Sequence, residues 1–456
     1  MRIPLAALVA ALLALSAALA AAKPSVSTYE LGAKVVGWAF DGSRLVLAFS
    51  NGTLAAYVMP HFEPAARAHI SGLDALVGMG SLEGGALALA FSNGTIAYLE
   101  PSTLGVVGRE AVSVRGSLYR AHVRGRWVVL VSKYDFAAEG GVVKLDRLDV
   151  YDTKLRAPVL TMERKNSLLV YVFDVKISGS LMLVTWIDTT CKICELDDVF
   201  VTVFNLSSYE RVFIKRFGGC AADLEGGVAV AVRVKDGRGL YVDLRSGKTY
   251  EFQVSGRPLQ VRVVGGFGYV LTQSPDGSVL LYRVRGSEVT QLLRLEGGER
   301  GYALLLLNGS VGVASPSCIT IGGQSLEVAP YPVPWPPRVV ADGGDYAAVL
   351  YGYSLLSVVG SPRLSVRLLV RTEPGATVAV EGLNATAVAD SEGNATLSVP
   401  PGTYRVSAWK EGFERNETTV RVTPPFVEVT LKLRRAAPIP RPPNGTSVVP
   451  PSANQS

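Results

Sequence analysis

The sequence predicts an all-β protein, and three observations carry the prediction. Charged residues make up only 18% of the 456-residue chain, while Gly (47) and Pro (26) are abundant. Long amphipathic helices need more Glu, Lys and Ala than this; dense turns and short strands fit the composition. The heptapeptide LAFSNGT occurs at residues 47–53 and again at 89–95, a period of 42. Beyond residue 364 the chain alternates apolar and polar residues in short runs such as TVAV, ATLSV and TYRVSAW, the period-2 signature of strands with one buried face.

The repeat extends past the heptapeptide. RLVLAFSNGTLAAYV (44–58) matches ALALAFSNGTIAYLE (86–100). Each unit is an apolar run, an Asn-Gly turn and a second run, which is a hairpin repeated at a propeller-blade period. Weaker copies follow. WVVLVSKYDF (127–136) with KLDRLDVYD (144–152) is a third unit, and SLMLVTWID (180–188) with DVFVTVFNL (198–206) a fourth. Residues 227–244, 268–284, 303–321 and 339–360 supply four more, at spacings of 35 to 53 residues. The count is about eight blades, with seven as the alternative. A four-stranded blade cannot bury both faces alone, so neighbours stack and a closed ring leaves only short edges. The run SVSTYELG (25–32) precedes the first full unit and is expected to complete the last blade.

Residues 25–363 resemble the WD-repeat and quinoprotein-like β-propellers in general pattern. The WD dipeptide and the tryptophan-docking repeats are absent, and Trp38, Trp127 and Trp186 do not occupy equivalent blade positions. The resemblance therefore implies a fold and no chemistry.

A second module spans 364–434. Its turns carry Pro374-Gly375-Ala376, then Asp390-Ser391-Glu392-Gly393, then Pro400-Pro401-Gly402-Thr403-Tyr404, then Gly412-Phe413. On these residues it resembles the PEGA and carboxypeptidase-regulatory-like modules, small β-sandwiches; the first motif reads EPGA here. The resemblance implies a binding or spacer module. The tail, residues 435–456, holds six prolines and is expected to be an extended, disordered linker.

The N-terminus sets the expected compartment. Arg2 is the only charge before Lys23, and Ile3 to Ala22 are uncharged and rich in Leu and Ala. Ala18-Leu19-Ala20 and Ala20-Ala21-Ala22 both fit a small-residue cleavage site, so residues 1–22 read as a secretory signal peptide. The alternative is a retained N-terminal anchor, since about 20 apolar residues span a bilayer. Nine N-x-S/T sequons agree with export: Asn51, Asn93, Asn205, Asn308, Asn384, Asn394, Asn416, Asn444 and Asn454. Asn51, Asn93 and Asn308 are also Asn-Gly dipeptides, which turn formation alone explains.

Few residues suggest chemistry. Cys191 and Cys194 fall between two strands of the fourth unit, and Cys220 falls between the fourth and fifth units. In a propeller those connections emerge on one face, so a disulfide from Cys220 to Cys191 or Cys194 is expected in an exported protein; Cys318 lies around the ring. Glu195 stands where a haem-attachment motif needs His. Asp188, Glu195, Asp197 and Asp198 cluster beside the cysteines, and carboxylate oxygens are what Ca2+ takes, but a solvated, disulfide-pinned loop is the preferred reading and no cofactor is expected. Asp146, Asp149 and Asp152 recur every three residues and read as surface. His61, His69 and His122 show no metal-ligand spacing and read as packing. The net charge of +6 is spread along the chain without a basic block, which excludes a nucleic-acid groove. No catalytic, cofactor-binding or metal set emerges.

The expectation is a non-catalytic cell-surface or secreted protein whose propeller presents an interaction face to envelope proteins, surface-layer proteins or glycans. Membrane contact would come only through an uncleaved N-terminal segment. The rivals are an exported propeller enzyme (lyase, hydrolase or quinoprotein-like) acting at a central channel, and a subunit of an extracellular filament or lattice.

Overall fold

The computed structural model describes residues 25–138, 141–163, 169–189, 199–297, 299, 301–307, 310–328, 335–360, 366–381, 383, 385–399, 402–422 and 426–435. Among them the chain is all-β, interrupted only by two short 3-10 turns. It divides into two compact units, residues 1–364 and 365–456.

The first unit contains eight four-stranded antiparallel sheets in chain order. Their first strands are Val35–Phe40, Leu76–Ser81, Ser117–Arg124, Leu169–Ser178, Cys220–Glu225, Arg257–Val264, Ala303–Leu307 and Pro337–Gly343. Each first strand lies at one edge of its sheet, and those of successive sheets pack side by side. The eighth sheet takes its fourth strand from the other end of the unit: Ser25–Glu30 pairs antiparallel with Leu355–Gly360, from Ser25 opposite Gly360 to Glu30 opposite Leu355.

Sequence pattern follows position within the sheet. The middle strands are continuous apolar runs, RLVLAF at Arg44–Phe49 and LALAF at Leu87–Phe91, buried almost throughout. They need no polar alternation because a neighbouring sheet covers each face. The fourth strands are the wet edge; Lys248–Gln253 (KTYEFQ) buries only Phe252. The repeated heptapeptide has a direct cause. Oδ1 of Asn51 and of Asn93 accepts the N–H of Thr53 and of Thr95 at 3.1 and 2.9 Å, and the next glycine takes φ of +84° at Gly52 and +83° at Gly94. A side chain at Gly94 would also sit 2.6 Å from the Val112 carbonyl oxygen. Asn for the side-chain turn and Gly for the left-handed residue are thus both required.

In the second unit Val366–Arg371 pairs antiparallel with Asn394–Val399 and parallel with Phe426–Thr430. A second sheet orders Ala385–Val388, Thr377–Val380, Gly402–Trp409 and Asn416–Val422. Leu368, Val370, Leu397, Val378, Val406 and Val422 from the two sheets share one core. The Asp-Ser-Glu-Gly turn is closed by Asp390, whose Oδ1 accepts the N–H groups of Glu392 and Asn394 at 2.9 and 2.8 Å.

Candidate binding cavity at the first strands

Six of the eight first strands carry a β-bulge against their second strand. Register slips by one residue at Val36, Val77, Tyr119, Phe173, Leu259 and Val340. Every unpaired residue is apolar or aromatic, and Tyr119, Phe173 and Leu259 remain substantially exposed. An extra residue bends the strand and re-aims its side chain.

A first strand has one edge without a strand partner, and such edge groups must be satisfied elsewhere. Side chains of neighbouring sheets do this for the first strands of sheets 1, 4, 6 and 7; in sheet 1 the Ser81 hydroxyl donates to the Phe40 carbonyl at 2.6 Å. The Arg120 guanidinium donates to the carbonyls of Val172 and Phe173 at 2.9 and 2.8 Å. Asp146 accepts the Val172 N–H at 2.8 Å. Asp223 accepts the Val263 N–H and Gln260 the Leu304 N–H, both at 2.8 Å. Burial raises the Asp223 carboxyl pKa, opposed by that N–H and by Lys176. Arg262 donates to the Leu304 carbonyl at 3.3 Å and pairs with Asp342, which accepts the Leu306 N–H at 3.3 Å. These polar and charged groups act as straps between neighbouring strands.

Sheets 1 to 4 leave a cavity of about 410 Å³. Sheets 1 and 2 line it with Val36, Trp38, Val77 and Met79 and the backbone of Gly37 and Gly78; sheets 3 and 4 add His122, Arg124 and Lys176 among apolar residues such as Val123 and Val175. Sheets 2 and 3 approach closely here. A Cβ at Gly78 would lie 2.2 Å from the Ala121 carbonyl oxygen, and one at Gly80 would lie 2.1 Å from that of Val123. Lys176 pairs with Asp174 at 3.1 Å, both well exposed. His122 is pushed down to about pKa 4, first by burial and then by Arg120 and Lys176, with Asp174 opposing. It is therefore neutral near pH 7, and its Nε2 has no hydrogen-bond partner. Among the described residues no carboxylate lines this cavity.

The residues singled out in the sequence fall elsewhere. Cys191, Cys194, Glu195, Asp197 and Asp198 lie outside the described residues. Cys220 is a free thiol, so its expected bond to Cys191 or Cys194 is not shown; burial pushes its pKa up to about 12, with Asp174 adding to the shift. Cys318 is also free. Among the described residues no group of three His, Cys, Asp or Glu side chains is placed to hold a metal. Asn51, Asn93 and Asn416 are exposed and Asn205 and Asn394 half-buried; Asn308, Asn384, Asn444 and Asn454 lie outside the described residues. The reading of Asp146, Asp149 and Asp152 as surface is corrected, since all three are buried. Asp149 accepts from Arg147 at 2.8 and 2.9 Å and from the Thr161 hydroxyl at 2.6 Å. Asp152 accepts the N–H groups of Lys154 and Leu155 and pairs with Arg126. Burial is tolerated because each carboxylate is bonded. Sequence reasoning missed Trp38, Arg124 and Lys176 and took His122 for packing.

Comparison with known proteins supports both halves of the architecture. Residues 371–434 match the Carboxypeptidase regulatory-like domain. No curated protein sequence is similar to the chain. Among solved structures, BamB from Moraxella catarrhalis is similar at 13% identity and a TM-score of 0.50, covering 74% of this chain and 98% of that one. The computationally designed Ika8 protein is similar at 12% identity and a TM-score of 0.50, covering 73% of this chain and 97% of its own. At these identities the likeness concerns the fold alone. The chain is a β-propeller followed in sequence by a carboxypeptidase-regulatory-like β-sandwich.

Proposed function

We propose that this protein is exported by residues 1–22 and acts at the cell surface or in the envelope as a non-catalytic binding or scaffold protein. Its eight sheets form the blades of one closed ring. The borrowed strand Ser25–Glu30 supports closure, as does packing of the eighth first strand beside the first. The ring presents an interaction face to envelope proteins or glycans. Residues 364–434 and the Pro-rich 435–456 serve as spacer and linker, and several sequons carry glycans.

The observation that carries this reading is how the first strands use their charges. Arg120, Asp223, Arg262 and Asp342 are engaged with neighbouring backbone, which is a structural use. The remaining cavity combines apolar side chains with the cationic Arg124 and Lys176, the make-up of a recognition site.

The test is capture from intact envelopes by the immobilised mature chain, residues 23–456. Saturable recovery of a discrete envelope component is expected. Recovery no greater than from uncoated resin would overturn the reading. Analysis of the purified native protein, with residue 23 or 21 as its first residue and added glycan mass, checks export.

A further inference from the structure

We propose that the cavity of sheets 1 to 4 is a docking site for an extended peptide segment ending in a free carboxylate, with an apolar side chain beside it. This deepens the reading of the propeller as an interaction module and rests on it.

Four features define the ligand. The first is sign. Arg124 and Lys176 line the cavity and Arg120 stands nearby; against them, Asp174 pairs with Lys176 and Asp223 lies within reach of the Lys176 charge. Arg124 is exposed, and its side chain makes no hydrogen bond or ion pair within the described residues. His122 is neutral, so its ring adds a polar surface without charge. The site therefore favours an anion, and a planar guanidinium suits a carboxylate in two-point contact.

The second is the apolar lining of Val36, Trp38, Val77 and Met79, which a bare inorganic anion would leave in water. The third is size: about 410 Å³ lies within the common range for ligand sites, about 300–1,000 Å³. The fourth is backbone. The first strands of sheets 1 and 2 each present an edge without a strand partner; the Ser81 hydroxyl donates to the Phe40 carbonyl at one end of it, and among the described residues no side chain bonds the backbone of Val36, Trp38, Val77 or Met79. A strand edge with open N–H and C=O groups is suited to main-chain pairing with an extended peptide. That feature favours a peptide over an acidic sugar, which would bring a carboxylate but no matching main chain. In the assigned pose the terminal carboxylate meets Arg124 and Lys176, and the neighbouring apolar side chain packs on Trp38 and Met79.

The test uses fluorescence anisotropy with the mature chain and a labelled hexapeptide of Ser, Gly, Ser, Val, Glu and Phe, free at its C-terminus. Binding is expected to weaken about tenfold on Arg124→Ala or Lys176→Ala, and by a similar factor when the peptide is amidated and its Glu replaced by Gln. Arg124 is exposed and the Lys176 side chain 41% exposed, so the variants should retain the wild-type thermal transition. Peptide binding unchanged in the double variant would overturn the assignment, as would absence of peptide binding or tighter binding of tri-galacturonate than of the peptide. The capture experiment separates the two proposals. Equal envelope recovery by wild type and double variant would sink the cavity assignment and leave the surface role standing. Peptide binding that depends on Arg124, with nothing recovered from envelopes, would do the reverse.

Discussion

Arg262 and Asp342 form an ion pair across an intervening sheet. Arg262 belongs to the first strand of sheet 6 and Asp342 to that of sheet 8, and both also bond to the first strand of sheet 7, at the Leu304 carbonyl and the Leu306 N–H. The side chains are 23% and 16% exposed, so the pair is mostly, not wholly, withdrawn from water. Breaking one partner of a buried pair costs more than the pair is worth, because it strands the other charge. Asp342→Ala should destabilise the propeller by about 3 kcal/mol. Replacing both residues by Leu should cost clearly less than the sum of the single changes. Urea unfolding of the three variants checks this.

Close approach of sheets 2 and 3 gives a second prediction. Gly80 would place a Cβ 2.1 Å from the Val123 carbonyl oxygen, whereas Gly108, within Val106–Ala111, would place one 3.7 Å from the Tyr98 ring. Gly80→Ala should therefore cost about 2–3 kcal/mol through forced displacement of a neighbouring backbone. Gly108→Ala should be neutral or stabilising by up to about 1 kcal/mol, since the unfolded chain loses entropy and the folded chain meets no clash. Equal effects in thermal unfolding would argue against the packing described here.

The turns between third and fourth strands repeat a left-handed residue. Phe62, Leu104, Arg156 and Tyr209 take φ of 54°, 57°, 53° and 59°, and Gly247 fills the same place in sheet 5 at 70°. A non-glycine residue there costs about 1–2 kcal/mol. Arg156 is exposed and Leu104 fully buried. Arg156→Gly should thus stabilise by up to about 1 kcal/mol, the strain relief less the entropy of glycine. Leu104→Gly should destabilise by at least about 2 kcal/mol, because the cavity left in the core outweighs the same relief. Differential scanning calorimetry of the two variants distinguishes the cases.

Much of the fold was legible, for reasons particular residues make plain. Asn51-Gly52 and Asn93-Gly94 report their turns because side-chain and backbone demands coincide at adjacent positions. The strand Ser25–Glu30 was legible as the completing strand because an unpaired strand before the first unit has one sheet to join. The cavity was not legible. Trp38, Met79, Arg124 and Lys176 come from four sheets and share no residue type, so no motif marks them. Asp146, Asp149 and Asp152 misled for a related reason. Their spacing places them on alternating faces, which implies exposure only where one face meets water. Here neighbouring sheets cover both faces, and burial depends on hydrogen-bond partners that sequence spacing does not reveal.

His122 should make the fold sensitive to mild acid. In the native state its pKa is pushed down to about 4, by burial first, then by Arg120 and Lys176, with Asp174 opposing. In the unfolded chain it returns to the ordinary value of about 6.5. Between these values the unfolded state binds the proton and the native state does not, so stability rises with pH across the window and falls as pH drops from 6.5 towards 4. Carried from pH 7 to pH 4.5, this one group should remove about 2–3 kcal/mol. His122→Asn removes the titration while keeping a polar side chain. Carboxylates elsewhere also titrate near pH 4.5, but they do so in both proteins and cancel in the comparison. The urea midpoint of the wild type should therefore fall further between pH 7 and pH 4.5 than that of the variant. Equal losses would mean that the imidazole accepts its proton without penalty, and hence that water or Asp174 reaches it more fully than its burial beside Arg120 and Lys176 allows.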